Sequence, residues 1–127
     1  MKATEFKDKV FGVIGLGRIG QRVAEIAKGF GADVRYWSQN RKEQFEKAGI
    51  KYQDADELIA QADIISLNLA ETPETTKFLN KKRIDNIKPG AIIISTVPNE
   101  ITDLDALESR LKKEEVPPLS IINKSRQ

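Results

Sequence analysis

The residues of this chain whose types and spacing could do chemistry begin with Gly15-Leu16-Gly17-Arg18-Ile19-Gly20, three glycines in a GxGxxG pattern. Each glycine has its own physical task. Gly15 permits a tight turn, Gly17 lets backbone approach a pyrophosphate, and Gly20 removes a side chain where helix meets strand. The amides of Arg18 and Ile19 then fall at a helix N-terminus, where unpaired N–H groups and partial positive charge attract phosphate. A turn that only connects strand to helix is the plainer alternative. Against it, the motif directly follows an apolar run (Val10-Phe11-Gly12-Val13-Ile14) and opens a helical pattern, the context a dinucleotide loop requires. A P-loop is excluded, because no Gly-Lys-Ser/Thr ending follows.

The second chemical position lies at the end of the next strand. In NAD-binding versions of this unit an acid about 20 residues beyond the loop accepts hydrogen bonds from the adenosine ribose 2′-hydroxyl. Here that position is Ser38, followed by Gln39, Asn40, Arg41 and Lys42. Serine is neutral and does not repel a 2′-phosphate, and Arg41 could add charge-assisted, bidentate bonds to one. The alternative is that Arg41 and Lys42 begin a solvated helix capped by Ser38. The expected cofactor is NADP or NAD, with NADP favoured.

The elements that must position these residues follow from apolar patterning. After the first strand comes a helix with Ile19, Val23, Ile26, Ala27 and Phe30 on its apolar face, stopped near Gly29 and Gly31. A second strand is expected over 34–37, a polar helix over 41–48, and a weak third strand over 50–52. Asp54 caps a helix presenting Leu58, Ile59 and Ala62. A fourth strand over 63–67 is apolar almost throughout, as a strand buried on both faces should be. Helical pieces over 77–86 precede a strand over 91–95. A helix over 103–113, capped by Thr102 or Asp103, and a last strand over 119–122 complete the alternation. Strands alternating with helices imply a single α/β domain built on a parallel sheet of about six strands with helices on both faces.

The 127 residues suffice for one core, and the 39% hydrophobic, 31% charged composition is that of a globular domain. Basic and acidic residues number 21 and 19 and are intermixed, so the net charge of +2 does not point to nucleic acid. The one basic triplet, Lys81-Lys82-Arg83, reads as a solvated helix end. The chain has no cysteine and no histidine. Disulfides, thiolate chemistry and the commonest metal ligand and general acid–base are thereby removed, and no metal site is expected. No apolar run is long enough to span a bilayer and the first residues lack a signal-peptide core, so a cytoplasmic protein without a membrane partner is the expectation.

Several segments together resemble the nucleotide-binding domain of D-isomer-specific 2-hydroxyacid dehydrogenases, which include phosphoglycerate dehydrogenase and the glyoxylate/hydroxypyruvate reductases. They are residues 6–10, the glycine loop, residues 62–69, Thr72-Pro73-Glu74-Thr75-Thr76, residues 78–80, Lys88-Pro89-Gly90-Ala91 with the strand after it, and residues 103–107. The Thr-Pro-Glu-Thr and Lys-Pro-Gly-Ala segments are far more specific than the glycines. The resemblance implies a doubly wound Rossmann sheet. It also implies that the adenosine half of the cofactor lies near Leu69, Ala70 and Thr75, and the nicotinamide half near Ser95, Thr96 and Val97. Asn68 stands where histidine is frequent in relatives, and Ala70 where proline is frequent. Relatives follow the fifth strand with Thr-Ala-Arg-Gly, whose arginine holds the substrate carboxylate; here Pro98 takes that place and can offer neither charge nor N–H. The family's acid and histidine, and its substrate-binding domain, have no counterpart in the 127 residues. The expectation is a cofactor-binding domain spanning the whole chain, with no catalytic residue of its own and a 2-keto acid substrate only in a full-length parent. A non-enzymatic regulatory or dimerisation module is the alternative. Relatives place much of their subunit interface in this domain, which makes a homodimer the candidate assembly.

Overall fold

The computed structural model describes residues 7–70, 72–95, 99–113 and 119–123. In chain order they form β1 (Val10–Ile14), α1 (Arg18–Gly29), β2 (Asp33–Trp37), α2 (Glu43–Lys47), β3 (Lys51–Tyr52), α3 (Ala55–Gln61), β4 (Ile64–Leu67), α4 (Lys81–Asp85), β5 (Ala91–Ser95), α5 (Leu104–Lys113) and β6 (Leu119–Asn123). The strands make one sheet in the order β3-β2-β1-β4-β5-β6, and every neighbouring pair is parallel. The order reverses between β1 and β4, the switch point of a doubly wound Rossmann sheet.

Central position explains the apolar sequences of β1 and β4. In β4 all four residues are buried, and in β1 all but Val10. One face of the sheet packs Ile14, Ile65, Leu67 and Ile93 against Leu58 and Ile59 of α3, Ile84 of α4 and Leu107 of α5. The other packs Phe11, Val13, Val34 and Tyr36 against Ala24 and Ala27 of α1. Asp54 caps α3 by accepting the Asp56 N–H, and Asn80 caps α4 by accepting the Arg83 N–H. Asp103, rather than Thr102, accepts the Ala106 N–H at the start of α5. Arg110 on α5 is buried and donates to the carbonyls of Ile84 and Ile87, satisfying the C-terminal end of α4.

Three expectations are corrected. The face that α1 turns to the sheet is Gly20, Ala24 and Ala27, while Ile19, Ile26 and Phe30 are 62%, 55% and 46% exposed. The glycine loop sets this rotation, since Gly20 must lie directly against the Gly15 carbonyl. The polar helix starts at Glu43, so Arg41 and Lys42 belong to the preceding loop and Ser38 does not cap it. The Lys42 N–H, which has no acceptor within the helix, donates to the Tyr36 hydroxyl at 2.7 Å. Finally, the basic triplet opens α4 and is only partly a solvated surface. Lys81 pairs with Asp85, while Arg83 binds Asp56 at 2.7 Å and the Phe78 carbonyl at 2.8 Å and lies over the Phe78 ring.

Candidate cofactor site

Strand register builds the site. Ile14 is level with Trp37 and with Leu67, and Leu67 with Ser95, so the chain leaves four strands along one edge. Beyond that edge Gly15 N–H donates to the Trp37 carbonyl at 2.7 Å and Asn68 N–H to the Ile14 carbonyl at 2.8 Å. These two bonds seat the β1–α1 turn between the exits of β2 and β4.

Within the turn the three glycines differ. Gly15 has φ +94, and a Cβ there would also stand 3.0 Å from the Asn68 carbonyl group. At Gly20 a Cβ would meet the Gly15 carbonyl oxygen at 2.1 Å, so the side chain is excluded by the loop's own backbone more than by the strand. Gly17 faces open space, with nothing within 4 Å of the place a Cβ would occupy. Gly17 is also the residue before α1, and no side chain caps that helix and no acid stands in its first turn. The dipole and amides of Arg18 and Ile19 are therefore offered to an anion without local competition. Gln21 secures the turn by donating its side-chain amide to the Leu16 carbonyl at 3.0 Å.

A cleft of about 280 Å³ opens here between the glycine loop, Ser38 to Asn40, Lys42 and the residues after β4, namely Asn68, Leu69 and Ala70. A larger cleft, about 370 Å³, lies at the amino ends of the strands around Lys9, Asp63 and Lys88. Open parallel sheets take their ligands at the carboxyl edge, so the smaller cleft is the candidate site. Ser38 is buried and its hydroxyl donates to the Asn40 carbonyl. Its oxygen lone pairs remain as acceptors. Thr75 does not line the cleft; its hydroxyl donates to the Ala70 carbonyl at 2.8 Å and accepts the Thr72 N–H at 2.7 Å, which shapes the loop after β4. Asn68 turns its amide back onto Ser66. Ser95 is buried at the end of β5. Thr96, Val97 and Pro98 lie outside the described residues.

Arg41 stands apart from the cleft. Its guanidinium makes two bonds to Glu46, at 3.0 and 2.7 Å, and stacks over Tyr52. Glu46 also accepts the Tyr36 hydroxyl at 2.6 Å. The bonds from Arg41 and Tyr36 hold the Glu46 carboxyl below its usual range, while burial, with Glu46 beside it, pushes the Tyr36 phenol up. Lys42 is the residue that sequence reasoning passed over. It is the one charged residue among the described residues lining the cleft. Adjacent Arg41 and Lys42 give no periodicity signal that tells which one turns inward.

The family described as D-isomer specific 2-hydroxyacid dehydrogenase, NAD binding domain, matches residues 1–119. This chain belongs to that family. As an NAD-binding domain it is similar to the glyoxylate reductase of Thermococcus litoralis, with 41% identity over 108 residues that make up 84% of this chain and 33% of that protein. The glyoxylate reductase of Aeropyrum pernix is 37% identical over 89% of this chain and 34% of its own length. The chain thus spans about a third of the curated relatives it matches. Among solved structures, a D-lactate dehydrogenase of Aquifex aeolicus complexed with NAD and lactic acid superposes with a TM-score of 0.84 at 31% identity, covering 98% of this chain and 37% of that one. An acyclic imino acid reductase in complex with NADPH and D-Arg gives 0.82 at 33% identity, covering 97% and 39%.

Proposed function

We propose that this chain is a single cofactor-binding unit, residues 1–127, of a reductase of 2-keto acids, and that it prefers NADP(H) to NAD(H). The observation that carries this reading is one cleft combining an uncapped helix start, open space over Gly17 and a strand end without an acid. The open approach at Gly17 and the amides of Arg18 and Ile19 suit a pyrophosphate, with Gly15 and Gly20 fixing the turn. Ser38, Leu69 and Ala70 would border the adenosine half, with Thr75 holding their loop. Arg41 was the expected phosphate contact; in this geometry it supports the loop. Ser95, Thr96 and Val97 are assigned the nicotinamide half by family resemblance alone.

When bound, the nicotinamide supplies or accepts a hydride. The chain's own part is to hold the two halves of the cofactor along the strand edge. Reduction of a keto acid further needs a carboxylate anchor and a proton donor, and the chain has no histidine and carries proline at position 98. By this reading the chain alone binds cofactor without turning over substrate, and a longer parent supplies the substrate-binding part. Similarity to glyoxylate reductases supports the substrate class. The alternative, a non-enzymatic regulatory module, shares the same binding behaviour.

A homodimer and a cytoplasmic setting belong to the same reading. The exposed Ile26 and Phe30 form with Phe11, Val23 and Ile94 an apolar groove beside α1 that a second copy could cover. Among the described residues no helix is long and apolar enough to cross a membrane. Calorimetric titration with NADPH and NADH is the test, with sedimentation of the same samples for mass. Both dinucleotides should bind, NADPH the tighter, and Gly17→Val should abolish binding while circular dichroism stays native. Absence of binding below millimolar concentration would sink the reading.

A further inference from the structure

Resting on the dinucleotide reading above, we infer that Lys42 rather than Arg41 selects for a phosphorylated adenosine ribose, and that Tyr36 is the positioning residue that aims it. Arg41 is committed elsewhere, to two bonds with Glu46 and a stack on Tyr52. Turning it towards a 2′-phosphate would break all three contacts. It would also leave the Glu46 carboxylate without its counter-charge near an incoming dianion. Lys42 carries no such cost. Its ammonium has no ion-pair partner among the described residues, and it lines the cleft next to Ser38, Gln39 and Asn40.

The loop is held in this setting from inside the sheet. Tyr36 is completely buried on β2, and its hydroxyl does two things at once: it donates to Glu46 at 2.6 Å and accepts the Lys42 N–H at 2.7 Å. The second bond holds Lys42 outside helical conformation, at φ −118 and ψ 86, ahead of α2. Arg41 and Glu46 thus close the far side of a clamp whose near side presents the lysine. Ser38 complements it, since its free lone pairs suit a ribose 2′-hydroxyl. NADH thereby keeps a partner, and the lysine adds discrimination for NADPH.

The test is calorimetric titration of the full chain and its variants with NADPH and NADH, each fold checked by circular dichroism. The readout is the ratio of the two dissociation constants. Lys42→Gln should cut the preference for NADPH by about tenfold or more, as expected for loss of one charge-assisted contact, and Lys42→Arg should restore most of it. Tyr36→Phe should weaken NADPH by several-fold more than NADH; a merely structural role would weaken both alike. Arg41→Gln should move the ratio less than Lys42→Gln does. A preference that vanishes in Arg41→Gln but survives in Lys42→Gln overturns the inference, as does an equal loss of both dinucleotides in Lys42→Gln. NADH binding with no preference for NADPH in the unaltered chain defeats the inference together with the proposed NADP(H) preference, and leaves the dinucleotide site itself standing. Failure to bind either dinucleotide defeats both.

Discussion

Gly20 and Gly17 belong to one motif and face opposite constraints. At Gly20 a methyl group would sit 2.1 Å from the Gly15 carbonyl oxygen, a backbone atom that cannot rotate away. Gly20→Ala should therefore push α1 from its seat and lower stability by about 1–3 kcal/mol, the usual range for overpacking. Urea denaturation reads this loss, and an unchanged midpoint would mean that the loop yields more easily than its geometry implies. Gly17 has nothing within 4 Å, so a methyl there should cost the fold little and tell only on ligand. The distinction was partly legible in the sequence, because GxGxxG assigns separate tasks to its glycines from local geometry. Which of Arg41 and Lys42 meets the cleft was not legible. It depends on Tyr36, Glu46 and Tyr52, which converge only when β2, α2 and β3 are packed together.

At the scale of elements, Asp63 ties the amino ends of the central strands. Its carboxylate accepts the Val10 N–H at 2.9 Å and the Lys88 ammonium at 2.7 Å, joining β1, the start of β4 and the turn before β5. Burial pushes this carboxyl up, but the bonds from Lys88 and Val10 outweigh it and hold it below the ordinary aspartate value. A carboxylate depressed on folding stabilises the native state above its unfolded pKa, near 3.9. That contribution is lost as pH falls through the lower, folded value. Asp63→Asn should thus be less stable at neutral pH and show a shallower decline on acidification below about pH 4. Thermal denaturation across pH 2–7 checks it, and parallel acid limbs for the two proteins would remove Asp63 from the account (the pH range being about that of carboxylate titration). Strands such as 91–95 and helix starts such as Asp54 were readable because their signals are local. The face of α1 was misread because bulky Ile19, Ile26 and Phe30 mimic a core stripe, whereas close helix–sheet approach selects Gly20, Ala24 and Ala27. Buried Arg110 gave no sequence signal, since its partners are backbone carbonyls on another helix.

At the scale of the whole molecule, the sheet collects binding groups along its carboxyl edge, and among the described residues lining the cleft Lys42 is the one that can carry a charge. The cleft is walled by backbone, amides, one hydroxyl, one lysine and apolar side chains. Its lysine lies beside Ser38, at the exit of β2, while the nicotinamide half is assigned to the exit of β5, two strands beyond β1 in the sheet order. A proton donor must lie within hydrogen-bond reach of the developing alkoxide, so Lys42 cannot serve there while the cofactor is extended along the edge. The expected outcome is that the chain shows no oxidation of NADPH or NADH above background with glyoxylate, hydroxypyruvate or pyruvate, followed by absorbance, under conditions where calorimetry shows the cofactor bound. Positioning alone can supply a large share of a rate enhancement, so the substrate must also be given the chance to bind at high concentration. Turnover that survives Lys42→Gln would place an acid–base group near the exit of β5, whereas turnover lost with that variant would show the cofactor folded back over the adenosine end.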